Sequence, residues 1–63
     1  MDDEKFNMSM RKFLKQVGVT SQQQIEQAVR DSGKTSGKVA VKVVLTCADV
    51  SLEHTVDGEI ELG

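Results

Sequence analysis

The spacing of apolar residues changes once along this chain, at Lys38. Before Lys38 apolar side chains recur every three or four positions, and after it they alternate with polar ones. The first spacing is typical of amphipathic helices and the second of strands with one buried face. We therefore predict the α+β class, with helices in the first half of the chain and strands in the second.

Two short helices are predicted before the change. Five apolar side chains fall within about 100° of arc on the first helix, namely Phe6, Met10, Phe13, Leu14 and Val17. Acidic residues 2–4 suit its positive N-terminal end, and Gly18 suits the left-handed position after a last helical turn. Thr20-Ser21-Gln22-Gln23 has the pattern of a capping box. These signals predict helices over residues 3–17 and 20–32.

A β-hairpin is predicted after the change, with strands over residues 38–47 and 50–57. A two-residue turn at Ala48-Asp49 sets Leu45 opposite Leu52 and Val43 opposite His54, so that apolar residues share one face. We expect a bulge or an extension at Gly58, with a short further segment to residue 62. Both helices are expected to pack on the apolar face of the hairpin.

The length of the chain limits the interior that it can form. A domain of about 60 residues buries only about 60% of its unfolded surface, so the 63 residues are predicted to form one domain, 1–63, with one thin core. Cys47 is the only cysteine and cannot form an internal disulfide. Self-association as a homodimer is a hypothesis that would add burial.

The predicted location is the cytoplasm. The chain begins with acidic residues 2–4, where a secretory signal would be basic and then apolar, and its single cysteine argues against a disulfide framework. No apolar run approaches the roughly 20 residues that span a bilayer. We therefore expect no membrane partner.

Two groups of residues resemble catalytic or nucleotide-binding motifs but lack the spacing that these motifs require. Gly33-Lys34-Thr35 matches the end of a phosphate-binding loop, but Ala28 stands where the first glycine belongs, and the segment follows a helix instead of preceding one. Cys47 and His54 share a face of the predicted hairpin, yet about four strand rises, roughly 13 Å, separate them. That distance is too large for a nucleophile and its base.

The carboxylates of Asp57, Glu59 and Glu61 alternate along one extended segment and do not converge as cation ligands do. With no other grouping of ligands or catalytic residues, we predict no catalytic, cofactor or metal site and hence no enzyme.

Charge is distributed unevenly along the chain. The net charge is −2, but residues 2–4 carry −3, residues 5–42 carry +6 and residues 43–63 carry −5. The basic middle either is neutralised by the acidic ends in the fold or forms a docking face for an acidic partner. The residues of this predicted docking face are Arg11, Lys12, Lys15, Arg30, Lys34, Lys38 and Lys42.

These features favour a non-enzymatic protein-interaction module. The alternative is a small DNA-binding protein of helix-turn-helix or winged-helix type, with the turn at Gly18-Val19-Thr20. Its recognition helix would present Gln22, Gln23, Gln27 and Arg30, but it has no Lys or Arg in its first two turns. Few cations would then reach phosphates, which disfavours DNA binding.

Two stretches, FNMSMRKFLKQVGVTSQ (residues 6–22) and LEHTVDGEI (residues 52–60), resemble a family of small bacterial proteins catalogued as a domain of unknown function. The resemblance covers nearly the whole chain. It implies a bacterial cytoplasmic protein without an assigned activity, and it transfers no catalytic or binding residues.

Overall fold

The computed structural model describes all residues, 1–63, and confirms the α+β class. One helix, α1 (Asp3–Ser32), is followed by strand β1 (Lys38–Cys47), a 3-10 turn (Ala48–Val50) and strand β2 (Leu52–Glu61). The chain divides into two compact units, residues 1–33 with the helix and residues 34–63 with the hairpin.

Helix α1 begins where the acidic residues predicted it. The Asp2 carboxylate accepts a hydrogen bond from the Lys5 backbone N–H at 3.1 Å, and Asp3 and Glu4 lie in the first turn. The side chain of Asp2 thus satisfies one of the free N–H groups at the helix start, and all three carboxylates face the positive end of the helix dipole.

The prediction of two helices, over 3–17 and 20–32, is wrong, because α1 continues through Gly18-Val19-Thr20. The Thr20 hydroxyl does not cap a second helix and instead donates to the Gln16 carbonyl oxygen at 2.8 Å, one turn back. Glycine in a helix interior costs only about 0.5–1 kcal/mol. The good helix formers at residues 14–16 and 22–24 offset this cost, although Val17, Val19 and Thr20 next to Gly18 are β-branched. Gly18 therefore lies within a continuous helix and does not mark the end of one, as the prediction assumed.

The helix ends at the second glycine. Gly33 has φ 74°, and its N–H donates to the Arg30 carbonyl oxygen at 3.3 Å. The sequence offers a glycine for such a left-handed cap at both Gly18 and Gly33, but only Gly33 adopts this conformation.

The continuity of α1 joins two short apolar stripes into one. A helix of 30 residues is about 45 Å long. The apolar residues of its N-terminal half are followed at four-residue spacing by half-buried Val17, Ser21, Ile25 and Val29. This row is continuous, and it turns about 40° around the helix axis with each step of four residues.

Strands β1 and β2 form a two-stranded antiparallel sheet whose register differs from the prediction by two residues. Cys47 pairs with Leu52, Leu45 with His54 and Val43 with Val56. Strand β2 accordingly covers Leu52–Glu61 instead of 50–57, and it passes Gly58 in continuous one-to-one pairing. The predicted extension is confirmed, and no bulge is present.

The connection between the strands explains the shift of register. A two-residue hairpin turn needs positive φ at one or both central residues, which Ala48 adopts only at a cost. The chain instead forms a four-residue connection, with a 3-10 turn followed by Ser51 at φ 53°. Ser51 donates its N–H to the Ala48 carbonyl oxygen at 3.2 Å.

No residue of the chain is buried. The least exposed side chains are half-buried. In the helix unit they are Val17, Ser21, Ile25 and Val29, and in the hairpin unit they are Val39, Val41, Leu45, Cys47, Ile60 and Leu62. Large apolar side chains remain accessible in both units.

Replacing Gly18 by alanine is expected to raise the free energy of unfolding by about 0.5–1 kcal/mol. A Cβ atom at Gly18 meets nothing within 4 Å, and Gly18 has no positive φ. Thermal unfolding followed by circular dichroism measures the change. Gly33→Ala is the matched control and should destabilise, because Gly33 has positive φ. A destabilised Gly18→Ala would indicate a helix end at Gly18.

Replacing Ser51 by glycine is expected to stabilise the hairpin unit by up to about 1 kcal/mol. The reason is that Ser51 is the only non-glycine residue with positive φ, a conformation that costs an L-residue roughly 1 kcal/mol. Chemical denaturation of Ser51→Gly and of Ser51→Val measures the change in the free energy of unfolding for each variant. The β-branched valine should destabilise, and equal stabilities would contradict this backbone conformation.

Candidate interaction surfaces

The N-terminal half of α1 carries the largest apolar side chains of the chain, and all of them are accessible. Phe6 is 46% exposed, Met10 42%, Phe13 55% and Leu14 49%. One continuous helix places them on one side within about 12 Å of its length. We call these four residues the helix apolar patch.

One face of the hairpin is also apolar. Odd residues of β1 and even residues of β2 share this face, and Val43 pairs directly with Val56 in its middle. Val43, Leu52 and Val56 are each about half exposed, whereas Val41 and Leu45 are half-buried. The predicted apolar face therefore exists, although Val50 lies in the 3-10 turn and not in β2, and the partners across the sheet are different.

The opposite face of the hairpin is acidic. It carries Glu53, Asp57, Glu59 and Glu61. The Lys38 ammonium lies 3.7 Å from Glu59 and 3.9 Å from Glu61, and Lys42 pairs with Asp57. All three side chains of the Lys38 ion pairs are more than half exposed, so these contacts contribute little to stability.

The seven residues of the predicted docking face divide between the two units. Four of the seven lie on α1, and at 100° per residue they fall within about 100° of arc, on the side opposite the helix apolar patch; they are Arg11, Lys12, Lys15 and Arg30. We call these four residues the helix basic face. Lys34, Lys38 and Lys42 belong to the hairpin unit, where Lys34 donates to the Lys38 carbonyl oxygen at 3.3 Å.

The cations of the N-terminal half of α1 form no ion pairs. Arg11 and Lys15 lie one turn apart with like charge, and no carboxylate stands three or four residues from either of them. Such a pair is mildly repulsive in an isolated helix. This half of α1 is therefore apolar on one side and carries unpaired positive charges on the other.

The register brings Cys47 and His54 closer than the sequence predicted. His54 pairs with Leu45, two positions from Cys47, so the two residues are diagonal neighbours at roughly 7–8 Å instead of ~13 Å. No hydrogen bond joins their side chains. No group of three or more His, Cys, Asp or Glu residues in the chain is arranged to hold a metal ion.

The position of Gly33-Lys34-Thr35 at the C-terminal end of α1 does not suit phosphate binding. Gly33 is the C-terminal cap of α1, where backbone carbonyl groups and the negative end of the helix dipole face outward. Phosphate sites use the opposite end of a helix, which presents N–H groups.

The helix-turn-helix hypothesis loses the turn on which it depended, because residues 18–20 are helical. Two of the amides assigned to base contacts are also engaged within α1. Gln27 donates to the Asp31 carboxylate at 2.8 Å, and Gln22 donates to the Glu26 carboxylate at 3.3 Å. Sequence reasoning missed the continuous apolar surface for the same reason that it placed a turn at Gly18.

The geometry defines a small α+β protein with one long amphipathic helix and one two-stranded hairpin. Residues 1–63 match the family of unknown function DUF6494, and the chain belongs to that family. No curated protein and no solved structure shows significant similarity. Helix α1 lacks the uninterrupted apolar stretch that a membrane-spanning helix requires.

Replacing Lys12 and Lys15 together by alanine is expected to change the free energy of unfolding by less than about 0.5 kcal/mol, because neither cation has an ion-pair partner. Denaturant unfolding of this double variant and of Lys38→Ala, which removes two exposed ion pairs, measures the difference. A large loss of stability in the double variant would reveal a structural role for the helix basic face.

Proposed function

We propose that this chain is a non-enzymatic protein-interaction module that binds through the helix apolar patch. The observation that carries the proposal is the exposure of all four large side chains of the patch, between 42% and 55%, in a chain without a single buried residue. Exposed apolar side chains scattered singly are normal, but a contiguous group on one helix side is typical of interaction sites.

The stability of α1 supports a partner surface. Most helices in proteins gain their stability from the packing of an amphipathic face, since backbone hydrogen bonding alone is marginal in water. Residues of the C-terminal half of the stripe are half-buried, whereas those of the patch are exposed. A partner on the patch would provide the burial that the N-terminal half lacks.

The charge distribution of the same segment supports a contact that is apolar in its centre. Of the nearby cations, Arg11, Lys12 and Lys15 lie on the other side of the helix, and Lys5 lies about 80° around the helix from Phe13. Their charged ends stay in water when the patch is covered. Binding through the patch therefore buries no unpaired lysine or arginine, which would be costly. A role of the helix basic face in docking an acidic partner stays a prediction.

The non-enzymatic part of the proposal is supported by the placement of the reactive side chains. Cys47 and His54 are the only pair of nucleophile and base types, and they are diagonal neighbours on one face of the sheet with no hydrogen bond between them. A nucleophile and its base need to lie within hydrogen-bond reach of each other. A location in the cytoplasm, where the free thiol of Cys47 is stable, belongs to the same proposal.

Site-specific photo-crosslinking tests the proposal. A photoreactive benzoyl-phenylalanine at Phe13 replaces one aromatic ring by a larger one in the centre of the patch. The matched control carries the same group at Met8, which is 73% exposed on the opposite side of the helix. After irradiation of cells that express each variant at low level, we expect covalent protein adducts from position 13 in several-fold excess over position 8.

Two results would contradict this function. One is the absence of a protein adduct from position 13 under conditions in which the reagent labels a known complex. The other is equal adduct formation from positions 8 and 13, since random collision depends only on exposure. Either result would remove the helix apolar patch as an interaction site.

A further inference from the structure

We propose that the open edge of strand β1 pairs with the same edge of a second copy of this chain, so that two hairpins form one four-stranded antiparallel sheet with its two-fold axis at Val43. The inference goes beyond the proposed function, because it concerns the hairpin unit and not the helix apolar patch. It is argued from the backbone groups that the edge presents, from the charges of the two edges and from the register that the faces allow.

The outer edge of β1 presents a row of backbone groups that no strand pairs with. The sheet has only two strands, so each strand is open on one side. The Leu62 N–H donates to the Gly37 carbonyl oxygen at 2.8 Å, which makes them a hydrogen-bonded pair beside the pair of Lys38 and Glu61. Such pairs alternate in an antiparallel ladder, so the even residues of β1 turn their N–H and C=O groups outward. These exposed residues are Lys38, Ala40, Lys42, Val44 and Thr46.

The hairpin unit also lacks burial. A two-stranded hairpin is marginal in water unless further strands or a helix cover its apolar face. No residue of the unit is buried, and Val43, Leu52 and Val56 on the apolar face are each about half exposed. A row of outward N–H and C=O groups is matched by another extended strand. A second hairpin beside β1 would satisfy this row and flank Val43 on its open side.

Charge distinguishes the edge of β1 from that of β2. By the same alternation, the residues of β2 that turn their backbone groups outward are Glu53, Thr55, Asp57, Glu59 and Glu61. Two copies joined through β2 would therefore bring many carboxylates together, which is destabilising. Strand β1 carries two lysines and no carboxylate, and its residues 43–47 are uncharged. The edge of β1 is thus the one that accepts a strand of its own kind.

The faces of the sheet require an antiparallel pair. A two-fold axis perpendicular to the sheet keeps the apolar faces of both hairpins on the same side, whereas an axis along the strands would turn one hairpin over. Outward-facing even residues must pair with even residues, so the odd, apolar residues also meet one another. Centring the pair on Val43 sets Val41 opposite Leu45, and Val39 opposite Cys47, of the second copy.

The lysines select this register from its neighbours. Centring on Lys42 would set two ammonium groups directly opposite each other, which is destabilising, and centring on Val44 would shorten the ladder. Centring on Val43 instead sets Lys42 opposite Val44 and Ala40 opposite Thr46. Each of these pairs occurs twice about the axis and gives two backbone hydrogen bonds. Lys42 keeps its place beside Asp57 of its own hairpin.

Proline substitution of the two edges, with sedimentation equilibrium of the full chain, is the first test. Proline lacks an N–H and is tolerated in a strand where that N–H faces solvent. Val44→Pro removes an outward N–H of β1. Thr55→Pro is the matched control, because Thr55 pairs with Val44 and its own N–H faces the opposite edge. The wild-type chain should form a dimer whose dissociation constant rises at least tenfold in Val44→Pro and less than about threefold in Thr55→Pro.

Cysteine crosslinking tests the position of the axis without a proline. In a Cys47→Ser background, Val43→Cys places two thiols across the axis in a pair without hydrogen bonds, where Cα atoms are about 4.5 Å apart and a disulfide fits. Val56→Cys is the control, since Val56 is 52% exposed on the same face and Val43 47%. Its two copies would lie three strand spacings apart, about 14 Å. Oxidation should link Val43→Cys at least tenfold faster.

Several results would overturn the pairing through β1. They are a wild-type chain that stays monomeric up to millimolar concentration, a dimer that the two proline variants weaken equally or not at all, and an open-ended series of assemblies, which would indicate β1 pairing with β2 of the next copy. Equal oxidation rates of Val43→Cys and Val56→Cys would overturn the axis at Val43. None of these results affects the helix apolar patch, which is tested separately by photo-crosslinking on α1.

Discussion

The unbroken backbone hydrogen bonding of α1 through Gly18-Val19-Thr20 is the constraint on which the surfaces of this protein depend. A turn at Gly18 would have divided the apolar residues between two short helices that face each other. Without it, Phe6 and Val29 belong to a single helix about 45 Å long, along which the apolar row winds gradually around the axis. Because no turn folds the two halves of the helix onto each other, their apolar side chains can be covered only by residues outside the helix.

In the hairpin, the face on which a side chain lies could be predicted more reliably than its partner on the other strand. Side chains alternate across a strand with a period of two, so moving β2 by two residues relative to β1 exchanges partners but keeps every side chain on its face. The residues that remain in the strands thus keep their predicted face, and only Val50 leaves it for the 3-10 turn. The shift matters for chemistry, since it turns Cys47 and His54 from distant residues into diagonal neighbours.

Each unit, taken by itself, places apolar residues on one face and charges on the other. The helix is apolar on one side and basic on the other in its N-terminal half, and the hairpin is apolar on one face and acidic on the other. Such two-sided surfaces are suited to contacts over an area, which is the basis of the proposed interaction role.

Local patterns in the sequence determined much of this protein. The change of apolar spacing at Lys38 determined the class and the order of elements, and Asp2 and Gly33 marked both ends of α1, because capping depends on a few neighbouring atoms. Alternation determined which residues share a face of the hairpin. The path of the chain at Gly18 and at residues 48–51 was decided only in the folded structure. At both places the local preference amounts to about 1 kcal/mol or less, so the hydrogen bonds and side-chain contacts of the surrounding element select the outcome.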